Sequence, residues 1–420
     1  MEYSLTNQVP SAFDRRLDPG SKRPIAVAYS GGGDSLAALI ATRQWAERTG
    51  RQVLALHVDH RLQAASGEWA RLAEQTAARL DVPFIGLAWS GEKPSRGVSA
   101  AARRARHALI AEAARAAGAG VVVFGHTADD ILEAEVMRAQ GSSLGRVQEW
   151  GPSPAWPEGR GLFLLRPLLA LRRAQIREHL APRGLPWVED PANADPASAR
   201  ARARASLGAS GAAPSCAAAP SDLAELAKAA TAGPAGDLLV ARDRLSAAPP
   251  AIARRLLSAA LVCVGGGDSP PRRERLDALI ARLSGADPLV ATLAGARVSA
   301  AADVHVVRET GVYRRHGAPE LRLDPGETGV WDGRYEVRNE GTASCAIRPL
   351  AGLAARLPKA ERERLASTPA AVRGAMPTAV DSDGAVTCPN LAVHGSLMAS
   401  SLVAERFYAA CGAISQELGV

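Results

Sequence analysis

The sequence predicts an α/β fold built on a parallel sheet, on three observations. Short runs that are apolar throughout alternate with helical stretches across residues 24–191. Strands of that kind are buried on both faces, as in parallel sheets covered by helices. A glycine-rich loop, Ser30-Gly31-Gly32-Gly33-Asp34-Ser35, stands directly between the first apolar run and the first helical stretch. The chain has 420 residues, more than one hydrophobic core comfortably serves, so two or three domains are expected.

The first strand is Ile25-Ala26-Val27-Ala28-Tyr29, followed by the glycines and a helix over residues 35–48. Residues 52–58 make a second strand, with a helix after it through Leu80, and residues 83–89 a third. An Ala/Arg-rich helix spans about 99–117, Val121-Val122-Val123-Phe124-Gly125 is a fourth strand, and residues 162–165 supply a fifth. Residues 207–236 are dominated by Ala, Gly, Ser and Pro and read as a linker. Residues 238–283 read as helical, β-like pieces such as residues 303–307 follow, and the last part mixes strand and helix. The expected division is a parallel-sheet domain over 1–215, a mainly helical middle domain over 216–330 and a small α+β domain over 331–420.

Lys+Arg outnumber Asp+Glu by 50 to 43, a net charge of +7, and lysine occurs only at Lys22, Lys93, Lys228 and Lys359. Arginine forks suit phosphate geometry, so this excess fits an RNA-like partner; the arginine usage of a GC-rich coding sequence accounts for it equally well. The five cysteines are widely spaced with no CxxC pair, against a disulfide framework or a zinc or iron–sulfur site. The first 24 residues lack the apolar centre of a signal peptide, and no apolar run approaches a membrane span. A cytoplasmic protein without a membrane partner is expected.

The glycine loop is informative because of its place. Glycines let backbone N–H groups approach an anion, and a helix N-terminus adds its positive dipole end. Ser30 and Ser35 offer hydroxyls to phosphate oxygens, and Asp34 suits holding Mg²⁺ or orienting the loop. The Gly-Lys-Ser/Thr ending of a Walker A motif is missing, which excludes a P-loop NTPase. Gly265-Gly266-Gly267-Asp268-Ser269 repeats the letters, but Pro270 and Pro271 follow and a helical run precedes, so it is expected to be a turn.

Two further clusters fall at strand ends, the ligand edge of an open α/β sheet. His57-Val58-Asp59-His60 closes the second strand, and no further metal ligand lies near it in sequence. Gly125-His126-Thr127-Ala128-Asp129-Asp130-Ile131-Leu132-Glu133 leaves the fourth strand and enters a helix, where Asp130 and Glu133 share a face. First-turn capping explains one of these carboxylates. Three carboxylates and a histidine exceed that need and suit a cation, either Mg²⁺ or an ammonium group. Arg103 and Arg106 share one face of the Ala/Arg helix, which by itself reads as a solvated basic face.

With these motifs the sequence resembles the PP-loop ATP pyrophosphatases and, more closely, the tRNA(Ile)-lysidine synthetase family. The resemblance is strong over residues 22–205 and extends beyond them only in general layout. It implies a Rossmann-like, adenine nucleotide alpha hydrolase-like domain over 1–215 that uses ATP and Mg²⁺. It implies that Ser30, Gly31, Gly32, Gly33, Asp34, Ser35, Asp59 and Arg103 bind the nucleotide. Asp34, Arg106, His126, Asp130 and Glu133 would form the catalytic set, with the carboxylates receiving the amino acid. Arg166-Pro167-Leu168-Leu169 and the segment from Trp187 to Asp195 resemble the end of the family's catalytic domain. Arg200, Arg202 and Arg204 read as a solvated linker or as contacts to an RNA backbone. The sequence departs from the family pattern at His107, Ile131, Ala134 and the Gln140-Gly141-Ser142-Ser143 stretch.

The implied reaction joins free L-lysine to C2 of the wobble cytidine of tRNA(Ile) with a CAU anticodon, through an adenylated cytidine, releasing AMP and pyrophosphate. The domains after residue 216 would contact the tRNA. The alternatives are another PP-loop tRNA-modifying or amide-forming enzyme, or an RNA-binding protein with an inactive nucleotide site. Thiolation ranks low among them, because it needs a reactive cysteine or a cluster and residues 1–215 contain no cysteine.

Overall fold

Seen in a computed structural model, the apolar runs of the first half do assemble as parallel strands. The structure describes residues 5–141, 147–189, 199–207, 221–285, 287–392 and 395–419. Two compact units result, one of residues 1–219 with 414–420 and the other of residues 220–413.

The first unit runs α1 (Leu5–Arg16), β1 (Ile25–Ala28), α2 (Gly33–Thr49), β2 (Val53–Asp59), α3 (Ser66–Arg79), β3 (Phe84–Ala88) and α4 (Val98–Ala116). It continues with β4 (Val121–Phe124), α5 (Ala128–Ala139), β5 (Trp150–Pro152), β6 (Phe163–Leu165), α6 (Arg173–Leu180) and α7 (Ala199–Leu207). The sheet order is β3-β2-β1-β4-β6-β5. Its strands are parallel apart from β5, which pairs antiparallel with β6. Ile25, Ala26, Val27, Val121, Val122 and Val123 are all buried, as the unbroken apolar runs require. Successive connections run outward on opposite sides of β1 and β4, so these two neighbours frame the topological switch point, where open α/β sheets bind ligands. The polar N-terminal stretch also holds a helix. Its Val9, Ala12 and Phe13 are buried, and Phe13 stacks on Trp45 with ring centroids 5.8 Å apart.

The second unit opens with α8 (Ser221–Lys228), β7 (Thr231–Ala232), β8 (Leu238–Ala241), α9 (Arg242–Ala247), α10 (Pro250–Gly265) and α11 (Arg273–Leu283). Strands β9 (Leu289–Leu293), β10 (Ala296–Ala300) and β11 (Asp303–Arg308) complete a five-stranded sheet of order β7-β8-β11-β10-β9. The stretch over 216–330, expected to be mainly helical, packs its helices with this five-stranded sheet. Leu238–Ala241 is a strand because it pairs with β11, a long-range partner that a short apolar run cannot reveal. Residues 321–401 add a four-stranded and a three-stranded sheet. The second glycine run is the C-terminal cap of α10, with Gly266 at φ +71°, and so is a turn.

The chain's last segment belongs to the first unit. Arg51 and Glu417 are almost fully buried and form a two-pronged ion pair of 2.6 and 2.9 Å. Arg51 also donates to the carbonyls of Arg23 and Asp18. Glu417 N–H donates to Arg16 O at 2.7 Å, and Trp150 Nε1 donates to Ile414 O at 3.0 Å. Removing one partner of a buried pair leaves a charge without compensation. Glu417→Gln is expected to cost the first unit about 3 kcal/mol in denaturant unfolding. A loss under about 1 kcal/mol would mean that the two carbonyls satisfy Arg51 alone.

Candidate active site

The glycine loop crosses from β1 into α2 at the switch point. Gly31 has φ +85°, which only glycine adopts without strain. The loop is pinned from outside by Val188, whose N–H donates to Gly31 O at 2.9 Å and which bridges Gly32 in parallel. Inside the loop, Ser35 Oγ donates to Gly32 O at 2.8 Å and lies 3.1 Å from Ser30 Oγ. A Cβ on Gly125 would sit 2.5 Å from Asp34 O. That absent atom lets the end of β4 press against the start of α2, bringing the loop and the α5 carboxylates to one place.

At the start of α5, Asp130 is in part the capping residue that first-turn chemistry suggests. Thr127 N–H and Oγ donate to its Oδ2 at 2.8 and 3.0 Å. Its Oδ1 faces Arg173 Nη2 at 3.1 Å. Glu133, with no exposed side chain, accepts from Arg173 Nη1 at 2.5 Å and Arg204 Nε at 2.8 Å on Oε1, while Arg200 Nε stands 3.3 Å from Oε2. Asp129 accepts from Arg172 Nε at 3.0 Å and from the Arg173 backbone at 2.8 Å. Asp34 Oδ2 accepts from Arg173 Nε at 3.0 Å.

The structure therefore brings Asp34, Asp130 and Glu133 together, and it does so through Arg173, a residue that sequence reasoning missed. A signal existed: the Arg172-Arg173 pair follows Arg166-Pro167-Leu168-Leu169 and opens a helix. Arg200 and Arg204 are not a solvated linker. They lie one helical turn apart on α7 and share a face toward Glu133. Asp190 to Asp195 and Ser142-Ser143 lie outside the described residues.

Arg166 Nε donates to His126 Nδ1 at 3.3 Å, so the neutral ring carries its proton on Nε2. Burial, reinforced by Arg166, pushes the His126 pKa well below the usual histidine range. Burial also lowers Arg106 and Arg166 to about 10, helped by their neighbour Arg103, and both stay cationic at neutral pH. Among the described residues neither Arg103 nor Arg106 has a carboxylate within ion-pair distance, and Arg106 Nε is buried without a partner. His107 packs against Phe124, where burial pushes its pKa down to about 3. Burial raises the Asp34 carboxyl, against the pull of Arg173. Burial also opposes the Asp130 charge, but Arg173 and the Thr127 N–H are among the groups that outweigh it and hold that carboxyl below its usual range. Arginines therefore surround the carboxylates of Asp34, Asp130 and Glu133, an arrangement suited to a polyanion that meets a small cation.

His57 and Asp59 stand one strand away from the switch point. His57 Nδ1 bonds Tyr29 O at 3.0 Å, and Asp59 Oδ1 accepts from Arg61 N–H at 2.7 Å in a turn. Among the described residues no group of three or more His, Cys, Asp or Glu side chains is arranged as a metal cage. Mg²⁺ at a phosphate site needs only one or two carboxylates, and Asp34 Oδ1, buried without a hydrogen bond, fits that need.

Comparison with known proteins agrees with this geometry. A family model described as a PP-loop domain matches residues 5–210. A protein of Caulobacter vibrioides named tRNA(Ile)-lysidine synthase is 45% identical over 417 residues, covering 98% of each chain. A protein of the same name from Rhizobium meliloti is 34% identical over 349 residues, 76% of this chain and 74% of its own. A third, from Hyphomonas neptunium, is 42% identical over 195 residues, 46% of this chain and 51% of its own. Parallel sheet, glycine loop and near full-length similarity together place the chain in the tRNA(Ile)-lysidine synthase family of PP-loop proteins.

Proposed function

We propose that the chain is a carbon–nitrogen ligase that joins free lysine to C2 of the wobble cytidine of tRNA(Ile) with a CAU anticodon, using ATP and Mg²⁺. One observation carries this: the phosphate-type loop and a pair of arginine-paired carboxylates meet at the switch point, in a chain similar along its length to a protein named for that activity.

The loop amides and the N-terminus of α2 receive the phosphates of ATP, with Ser30 and Ser35 as hydroxyl donors. The strand ends that carry Asp59 receive the adenosine. Asp34 Oδ1 would hold Mg²⁺, which supplies charge neutralisation on the phosphates. The cytidine leaves its stack, and its C2 oxygen attacks the α-phosphorus, releasing pyrophosphate. Arg103 and Arg106, which have no carboxylate partner among the described residues, face the charge that gathers there. Asp130 or Glu133 orients the lysine ε-ammonium and takes its proton, since a protonated amine is no nucleophile. The amine then attacks C2, and AMP leaves with the cytidine oxygen. His126, held neutral beside Arg166, keeps that wall of the pocket free of an additional charge. The second unit, with exposed Arg273 and Arg275 on α11, contacts the tRNA backbone, and the chain works in the cytoplasm.

Radiolabelled lysine should enter a tRNA(Ile) transcript with a CAU anticodon only when ATP is present, and not when the wobble cytidine is replaced by uridine. Asp34→Ala should reduce the rate by about a hundredfold or more; full activity in that variant would overturn the assignment. Affinity for the transcript should fall at least about tenfold between 50 and 200 mM salt, a range taken from multi-phosphate binders. A flat salt dependence would remove the arginine–phosphate contacts from the account.

A further inference from the structure

The three carboxylates of the site share one guanidinium. Arg173 Nε lies 3.0 Å from Asp34 Oδ2, Nη2 lies 3.1 Å from Asp130 Oδ1, and Nη1 lies 2.5 Å from Glu133 Oε1. The same residue is anchored through its backbone, where its N–H donates to Asp129 Oδ2 at 2.8 Å. The neighbouring Ala128 N–H donates to Leu171 O at 2.9 Å, so the starts of α5 and α6 are tied twice. Arg173 thus spans two elements: α2, which carries the phosphate loop, and α5, which carries the carboxylates offered to the amine.

The other arginines at Glu133 do not span them. Arg204 donates to the same Oε1, Arg200 approaches Oε2 and Asp130, and neither pairs with Asp34. Their side chains are 41% and 39% exposed for Arg200 and Arg204, against 17% for Arg173. Arg173 takes Asp34 Oδ2 and Glu133 Oε1; Asp34 Oδ1 is buried with no hydrogen bond, while Glu133 Oε2 faces Arg200 Nε at 3.3 Å.

We propose that Arg173 is a positioning residue that couples the two small-substrate sites, fixing Asp34 for the nucleotide and Asp130 with Glu133 for the amine through one guanidinium. The proposal rests on the reading that Asp130 and Glu133 receive the lysine ammonium. A bidentate or tridentate guanidinium has a fixed fork, so Lys at this place keeps the charge but loses the geometry.

The test uses the full chain and four proteins: wild type, Arg173→Ala, Arg173→Lys and Arg204→Ala. ATP affinity is measured by calorimetry without RNA or lysine, and lysine KM and kcat by incorporation. Arg173→Ala is expected to weaken ATP binding and to raise lysine KM, each by about tenfold, within the usual span of coupled sites. Added guanidinium ion should restore part of both, and Arg173→Lys should fold and fall between. Arg204→Ala should move the lysine KM alone. The proposal is overturned if Arg173→Ala shifts only the melting temperature. It is equally overturned if ATP affinity falls no more than in Arg204→Ala, or if guanidinium ion restores neither constant. A wild type that binds ATP but never uses lysine would overturn the function proposed above, and the calorimetric comparison would still decide the role of Arg173.

Discussion

A carboxylate with no access to water has to be paired, and Glu133 sets that constraint for the whole site. Its ionised form costs several kcal/mol to bury unless cations and hydrogen bonds surround it. Arg173 and Arg204 supply them at Oε1, and Arg200 stands by at Oε2. These arginines come from α6 and α7, so satisfying one side chain of α5 fixes where two later helices begin. Because Arg173 also reaches Asp34, the requirement extends to the glycine loop. The pairing of one buried carboxylate and the placement of the glycine loop thereby become one problem with one solution.

The sheet makes this solution reachable. Parallel strands β1 and β4 are adjacent, with Ile25 paired to Val121 and Ala28 to Phe124, so their carboxyl ends finish level. Each then turns into a helix whose first turn carries the acids, Asp34 on one side and Asp129 and Asp130 on the other. Two helix N-termini at one edge favour anions, while the acids in the same turns hold cations. Gly125 lets the two approach closely, since any Cβ there would collide with the Asp34 backbone. The edge therefore carries both helix N-termini and carboxylates, the two features that the proposed binding of phosphates and an ammonium requires.

Much of this was legible in the residues. The strand and helix order of the first unit, the loop, and the clustering of His126, Asp130 and Glu133 at a strand end follow from periodicity and position. What was hidden is what depends on distant pairing. Arg173 looks like any basic residue at a helix start until Asp34, Asp130 and Glu133 are brought beside it. Arg200 and Arg204 have helical spacing in sequence, but their Ala-rich surroundings carry no apolar stripe to mark the helix. Leu238–Ala241 is apolar enough for strand or helix, and β11 decides. Glu417 carries no local hint that Arg51, far away in the chain, is its partner.

In the proposed reaction ATP activates the cytidine oxygen, so that this oxygen departs with AMP when lysine attacks. The most direct measurement is a single-turnover reaction on tRNA(Ile) whose wobble cytidine carries heavy oxygen at C2, followed by mass analysis of the AMP. The account predicts that the AMP carries the heavy oxygen in proportion to the lysine incorporated. Heavy oxygen retained in the RNA, or AMP formed without it, would contradict an adenylated cytidine and with it the chemistry assigned to the site.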